Sequence, residues 1–365
     1  MLRKFAVSNF RGFENRIELV LDSPSNFEYN GFAVHEGILK DVMIYGPNGS
    51  GKSNIGFALF DIVNHLTQKN KIPDYYSNYT FGRNGLPVSF EYVFQLSGKT
   101  LEYDYSKAAD GSLISEKLVV SGITYFDRGV HSVYFNPDFF SVLPSLSDDI
   151  LRSANSVSLI SYLMSSYPLS EGSPLILLNE FVNGMLWFRC LEERRYIGFE
   201  NGTTYLEEYI ISTGKVDDFK EFIRKVSGQD FLFKTPRPGD KFLYCVVNGK
   251  ELLFNEISST GTHSLTLLYY WLSKMSTASL VFIDEFDAFY HYELSYEVCK
   301  RLFSLNAQVV LTTHNTSLMT NDLLRPDCYF LINGKEVKPL TKCTDKELRV
   351  GHNLEKLYRG NGFHI

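Results

Sequence analysis

Eight residues constrain this chain more than any others: Gly46-Pro47-Asn48-Gly49-Ser50-Gly51-Lys52-Ser53. They follow the apolar run Val42-Met43-Ile44-Tyr45, and after them Ile55, Ala58, Leu59, Ile62, Val63 and Leu66 recur at steps of three and four. A strand that turns through glycines into a helix with one buried stripe is an α/β unit, and it needs a sheet to pack against. The glycines let successive backbone N–H groups turn inward around an anion. In such a phosphate-binding loop Lys52 would neutralise β- and γ-phosphates and Ser53 would offer its hydroxyl to Mg²⁺, at a helix N-terminus whose dipole favours the same charge. ATP with Mg²⁺ is the ligand this chemistry calls for.

Two further apolar runs end in groups that suit the same chemistry. Leu280-Val281-Phe282-Ile283 reads as a buried parallel strand and ends in Asp284-Glu285. Ligands of open α/β sheets lie beyond the carboxyl ends of strands. There Asp284 would hold Mg²⁺ through its water shell, and Glu285 would orient and deprotonate the attacking water. An acidic pair capping the next helix is the plainer alternative; its place downstream of the glycine-rich loop, after an intact apolar run, favours the catalytic one. Val309-Val310-Leu311 then leads to Thr312-Thr313-His314, which would set His314 beside Glu285 and within reach of a γ-phosphate. His291, six residues past Glu285, suits a structural role as well as a functional one. Ser258-Ser259-Thr260-Gly261-Thr262, read by itself, is a helix N-cap.

The remainder divides by pattern. Phe5 and Val7, then Ile17, Leu19 and Leu21, suggest two paired strands, and 88–135 reads as an antiparallel β lobe with a turn at Ser97-Gly98-Lys99. Residues 141–241 look mostly helical, including 175–191 and the amphipathic Val216, Phe219, Phe222, Ile223, Val226 set closed by Gly228. Hairpins are expected at Asn248-Gly249 and Asn333-Gly334. The expected organisation is 1–140 as the first part of a nucleotide-binding head, 141–241 as a helical insertion, and 242–365 as the second part.

Composition narrows the function classes. With 44% hydrophobic and 21% charged residues the chain is not disordered on a domain scale, and no run approaches the ~20 apolar residues of a membrane span. A net charge of −6 disfavours an extended grip on nucleic-acid phosphates, leaving at most a local patch such as Arg194, Arg195, Arg224 and Lys225. Five scattered cysteines without a CxxC pair suggest reduced thiols in a cytoplasmic protein, not a disulfide framework or zinc site.

Taken in order, the phosphate loop, Ser259-Thr260-Gly261, Asp284-Glu285-Phe286-Asp287 and His314 resemble the motif series of an ABC-type ATPase head. Ser8-Asn9-Phe10-Arg11-Gly12-Phe13 is similar to the first-strand motif of the RecF and structural-maintenance-of-chromosomes branch. Closer still, Asp284 to His291, Arg325-Pro326-Asp327 and Gly351-His352-Asn353-Leu354-Glu355 resemble single-head ATPases of bacterial abortive-infection and anti-phage systems, relatives of the ATPase part of overcoming-lysogenisation-defect nucleases.

The resemblance implies an α/β head with a mixed central sheet, an antiparallel β lobe and an inserted helical region. It also implies that two heads pair head-to-tail, with Ser259, Thr260 and Gly261 of one facing the γ-phosphate held by the other, Arg11 and Asn54 joining the nucleotide contacts, and Asp287 at the seam. Two departures stand out: Ser-Thr-Gly-Thr replaces a double glycine, and no glutamine loop can be assigned, Gln95 falling inside an expected strand. Slow hydrolysis, suited to a switch, would follow. The function implied is an ATP-gated sensor or regulatory subunit of an anti-phage system, a homo-oligomer of ATP-sandwiched dimers controlling a separate effector such as a nuclease or toxin. The alternative is a RecF-like or SMC-like ATPase of DNA repair or chromosome maintenance, with nucleic acid as partner, which the acidic balance weakens. A transporter ATPase is disfavoured by the Asn9-Phe10-Arg11 opening and by the 207 residues (259 − 52) between Lys52 and Ser259.

Overall fold

The computed structural model describes residues 1–67, 85–139, 157–189, 195–198, 206–237, 239–273, 275–288 and 290–365. Cys190, Arg194, Phe289 and the helical pattern expected over 141–156 lie outside them. In chain order the strands are β1 (Leu2–Ser8), β2 (Ile17–Val20), β3 (Val34–His35), β4 (Ile38–Leu39), β5 (Asp41–Tyr45), β6 (Val88–Leu96), β7 (Lys99–Lys107), β8 (Leu113–Val120) and β9 (Ile123–Arg128). There follow β10 (Val133–Phe135), β11 (Met185–Arg189), β12 (Arg195–Gly198), β13 (Tyr244–Val247), β14 (Lys250–Leu253), β15 (Leu280–Asp284), β16 (Gln308–Thr313), β17 (Tyr329–Ile332) and β18 (Val337–Pro339).

The strands build two large sheets. One, ordered β10-β9-β8-β7-β6-β1-β2, is antiparallel throughout. Along β6, Val88, Phe90, Tyr92, Phe94 and Leu96 are buried while the residues between them are half exposed, as a sheet with one covered face requires. The other is ordered β12-β11-β15-β16-β5-β17-β18; its five central strands run parallel and its two edge strands antiparallel. Every residue of β5, β15 and β16 is buried, which explains their unbroken apolar runs. This is the expected mixed sheet with its antiparallel lobe.

Polar side chains stitch the two sheets together. Gln308, 1% exposed, accepts a hydrogen bond from Leu2 N–H (2.9 Å) and donates to the carbonyls of Leu2 (2.9 Å) and Leu39 (3.0 Å). Asp61 begins the second helix after the phosphate loop, Asp61–Leu66, and accepts from Lys107 Nζ (2.6 Å) and Tyr105 hydroxyl (2.7 Å) on β7. The lobe therefore holds the helix that follows the loop.

One expectation needs correction. The helix expected over 175–191 stops at Asn183, and Met185–Arg189 is instead β11, paired in parallel with β15 from Met185↔Leu280 to Arg189↔Asp284. Met185, Leu186, Trp187 and Phe188 are all buried, and an unbroken apolar run carries no periodicity to separate strand from helix. Trp187 meets both Phe57 (centroids 4.7 Å) and Phe282 (5.9 Å) edge-on, so this strand packs together with β15 against the loop's helix. The amphipathic helix is present over Val216–Ser227, with Phe219, Phe222, Ile223 and Val226 buried and Gly228 ending it at φ 71°. Among the described residues no helix is long and apolar enough to cross a membrane.

Candidate functional site

The register of the parallel strands determines what meets at the sheet's carboxyl edge. Ile283 pairs with Leu311, and Thr313 with Tyr45, so β15, β16 and β5 end side by side. From Tyr45 the chain enters the glycine-rich loop and then the helix Lys52–Leu59. Gly51 sits at φ 101°, and a Cβ there would lie 2.5 Å from Phe13 Cε1; one at Gly46 would lie 2.7 Å from both Cγ2 and the carbonyl oxygen of Ile332. The Asn9–Phe13 turn and the end of β17 thus grip the loop from two sides. Gly51→Ala combines a left-handed backbone with that clash, so it is expected to cost ~1–3 kcal/mol of stability and to weaken nucleotide binding, read by denaturant melts and nucleotide titration.

Lys52 is 4% exposed and donates to the carbonyls of Gly46 (3.1 Å) and Pro47 (3.3 Å). Burial pushes its pKa down, and the carboxylates of Glu285 and Asp284 oppose that push. Its Nζ lies 2.8 Å from His314 Nε2, which is itself 3.2 Å from Glu285 Oε1. A single ring nitrogen can accept from the ammonium or donate to the carboxylate, not both. Only one of the two contacts can therefore be a hydrogen bond at a time, and an anion beside Lys52 would take the ammonium and leave the ring free to donate to Glu285. Ser50 Oγ, also buried in the loop, has no hydrogen-bond partner among the described residues.

On the other side of Lys52, burial raises the Asp284 pKa while hydrogen bonds from the Ser53 and Thr312 hydroxyls oppose the shift. A hydroxyl and a carboxylate so paired, beside a buried ammonium in a glycine-lined cradle, are hard oxygen donors that suit Mg²⁺ on a bound polyphosphate. Glu285 adopts φ 48°, a left-handed conformation uncommon outside glycine and asparagine. Asp287, raised in pKa by burial, accepts from Thr313 Oγ1 at 2.7 Å.

The structure brings Lys52, Ser53, Asp284, Glu285 and His314 together. It holds Ser259, Thr260 and Gly261 differently, as the start of the helix Thr260–Leu272. Ser259 Oγ accepts from Thr262 N–H (3.2 Å), and Thr262 Oγ1 donates to Gln229 Oε1 (2.8 Å). Among the described residues no hydrogen bond joins these three to 46–53 of the same chain, and Ser259 and Thr260 are exposed. Arg11 stacks its guanidinium 4.0 Å from the Phe57 ring on the loop's helix, and Asn54 Nδ2 lies 3.3 Å from where a Cβ on Gly12 would stand. His291 is an exposed residue at the start of the helix Tyr292–Phe303, with Nε2 3.7 Å from Glu293, and does not join the site. Gln95 lies within β6 and accepts from Thr100 Oγ1 (3.1 Å).

The segments behind the site are structural clamps. Arg325 and Asp327 form a buried bidentate pair (3.0 and 2.6 Å), and Asp327 also accepts from Ser25 N–H (2.6 Å). Asn321 Nδ2 donates to the carbonyls of Val350 (2.9 Å) and His352 (3.0 Å), and Glu355 Oε1 accepts from Thr316 Oγ1 (3.1 Å). The C-terminal segment is thereby tied to the turn that follows His314. Ile332 and Thr312 support the site without any sequence signal of their own, and Phe13, though part of the first-strand motif, gives no sign that it packs on Gly51; only the fold shows what they touch.

A parallel-centred sheet that carries a glycine-rich phosphate loop on one strand end, an acidic pair on a second and a histidine on the strand between them defines a P-loop ATPase head. The chain belongs to the family described as "AAA domain, putative AbiEii toxin, Type IV TA system", whose profile matches residues 42–320. No curated protein is significantly similar to it. Solved structures similar to it include an SmcHead bound to the C-winged helix domain of ScpA (15% identity, 93% of this chain and 99% of that one, TM-score 0.48). The SMC head domain from Thermotoga maritima (14%, 93% and 98%, TM-score 0.42) is another. So is an Smc head domain with a coiled coil and joint derived from Pyrococcus yayanosii (12%, 99% and 98%, TM-score 0.48).

Proposed function

We propose that this chain is an ATP-driven switch that hydrolyses ATP slowly and acts as the sensor or regulatory subunit of a bacterial anti-phage system, controlling a separate effector. The observation that carries the reading is the convergence of Lys52, Asp284, Glu285 and His314 at one sheet edge. Lys52 would exchange the carbonyls of Gly46 and Pro47 for β- and γ-phosphate oxygens, while the N–H groups of Pro47–Ser53 other than proline's wrap the chain of phosphates. Ser53 and Asp284 would hold Mg²⁺, which supplies charge neutralisation at the phosphates. Glu285 would take the proton of the attacking water, and His314 would hold a γ-phosphate oxygen and keep Glu285 in line. Ser259, Thr260 and Gly261 of a second copy would complete the site, their exposed helix start meeting the γ-phosphate from outside. Arg11 and Asn54 would border the nucleotide beside the loop's helix.

Lys52→Ala is expected to weaken ATP binding at least about a hundredfold, the loss of a charge-assisted contact at a buried site, measured by titration with a fluorescent ATP analogue. Equal binding by the variant and the wild-type protein would end this reading. Affinity purification of the chain from its native host, loaded with ATP, then identifies the partner; recovery of duplex DNA alone would redirect the function to DNA maintenance.

A further inference from the structure

Beyond the residues that would touch ATP or its metal, we infer that Thr312 is a positioning residue that sets the metal-holding carboxylate and the catalytic base with one hydroxyl. The inference rests on the nucleotide site proposed above and adds to it a residue that meets neither nucleotide nor water. Thr312 is 0% exposed and lies in β16, one strand away from the groups it controls. Its only hydroxyl proton goes to Asp284 Oδ1 at 2.6 Å, and the same oxygen accepts Glu285 N–H at 2.8 Å. Its backbone carbonyl accepts Phe286 N–H at 3.2 Å. Three successive residues, Asp284 at the end of β15 and Glu285 and Phe286 beyond it, are thus tethered to a single residue on the neighbouring strand.

The two side-chain hydrogen bonds do different things. The bond to Oδ1 holds the Asp284 carboxylate from behind while Ser53 reaches it from the loop side, so the carboxylate plane is fixed toward the phosphate loop. The bond from Glu285 N–H holds the peptide at φ 48°, a conformation that persists only where the surroundings impose it. That conformation turns the Glu285 side chain toward His314, 3.2 Å away. Threonine supplies the hydroxyl and keeps the β-branched shape that suits a buried strand. Its neighbour Thr313 spends its own hydroxyl on Asp287, so the adjacent threonines serve different carboxylates and one cannot replace the other.

Thr312→Val preserves shape and branching and removes only the hydroxyl; Thr312→Ser preserves the hydroxyl. For Thr312→Val, ATP turnover is expected to fall about ten- to a hundredfold, the value of a lost hydrogen bond to a charged group. The MgCl₂ concentration for half-maximal binding of a fluorescent ATP analogue should rise about tenfold, while binding of the analogue in EDTA stays unchanged. Thr312→Ser should restore both quantities to within about threefold. Wild-type turnover and Mg²⁺ dependence in Thr312→Val would overturn the inference. So would equal loss of binding with and without Mg²⁺ in both variants, which would mean that the residue only maintains the sheet. If the wild-type protein itself fails to bind ATP, the reading of the site falls and this inference with it; if it binds and hydrolyses ATP while Thr312→Val does the same, the inference alone falls.

Discussion

Glu285→Gln is expected to lower ATP turnover by about 10²–10⁴-fold, the range a general base contributes, while ATP affinity stays within a few-fold of wild type. Glutamine keeps the length of the side chain and the backbone N–H that Thr312 accepts, so the turn at φ 48° is held by the same bond. What disappears is the charge. The carboxylate of Glu285 is one of the groups that raise the Asp284 pKa, so its removal leaves Asp284 more readily ionised and Mg²⁺ no less well held. His314 loses its carboxylate neighbour but keeps the contact with Lys52. With binding intact and hydrolysis blocked, the nucleotide persists, and pairing through Ser259, Thr260 and Gly261 should persist with it. Phosphate release measures the first effect and sedimentation with saturating ATP and Mg²⁺ the second. A variant that stays monomeric under those conditions rules out the composite site, and one that hydrolyses at the wild-type rate rules out Glu285 as the base.

The second large effect lies away from the chemistry. Asp327→Ala is expected to cost ~3–5 kcal/mol in a denaturant melt, because it strands the Arg325 guanidinium in the interior. Arg325 is 4% exposed and Asp327 1%, and the Asp327 carboxylate also takes the Ser25 N–H, so its loss leaves a second donor short. Among the described residues the guanidinium retains the Ser25 carbonyl and the Phe27 ring, 5.5 Å away, neither of which matches a carboxylate. Replacing both residues, Arg325→Met with Asp327→Leu, removes both charges and should cost less than the single change. A double variant as unstable as the single one would mean that packing at this corner matters more than the charge pair. Neither change touches the phosphate loop, so ATP affinity measured below the unfolding transition should be unaltered.

The site was readable in the sequence where chemistry coincides with the end of an apolar strand. Asp284-Glu285 and His314 follow within a few residues of continuous apolar runs, and the parallel register that brings them together follows from the way such sheets are connected. β11 was hidden because Met185 to Phe188 show no alternation and their partner strand begins 95 residues later (280 − 185). Thr312 was hidden for a different reason: a threonine among apolar strand residues looks like ordinary β preference, and only the neighbouring strand reveals what its hydroxyl touches. The Ser259 loop shows a third kind of limit. A Ser259 side chain that caps its own helix is what one chain's sequence suggests and what one chain's fold shows, and a role completed by a second chain is written in neither.

The place of β5 in its sheet bears on how the protein is made. The strand carrying the phosphate loop lies between β16 and β17, whose pairing residues follow it by 268 positions (313 − 45) and 286 positions (329 − 43). At ~5–20 residues per second of synthesis, a ribosome needs roughly 13–54 s to deliver the nearer partner after Tyr45 emerges. The antiparallel lobe pairs mostly with its own sequence neighbours and can form during that interval, whereas β5, apolar from Val42 to Tyr45, waits without a mate. A nascent chain that has not yet delivered β16 and β17 therefore carries its glycine-rich loop on a strand without either flanking partner.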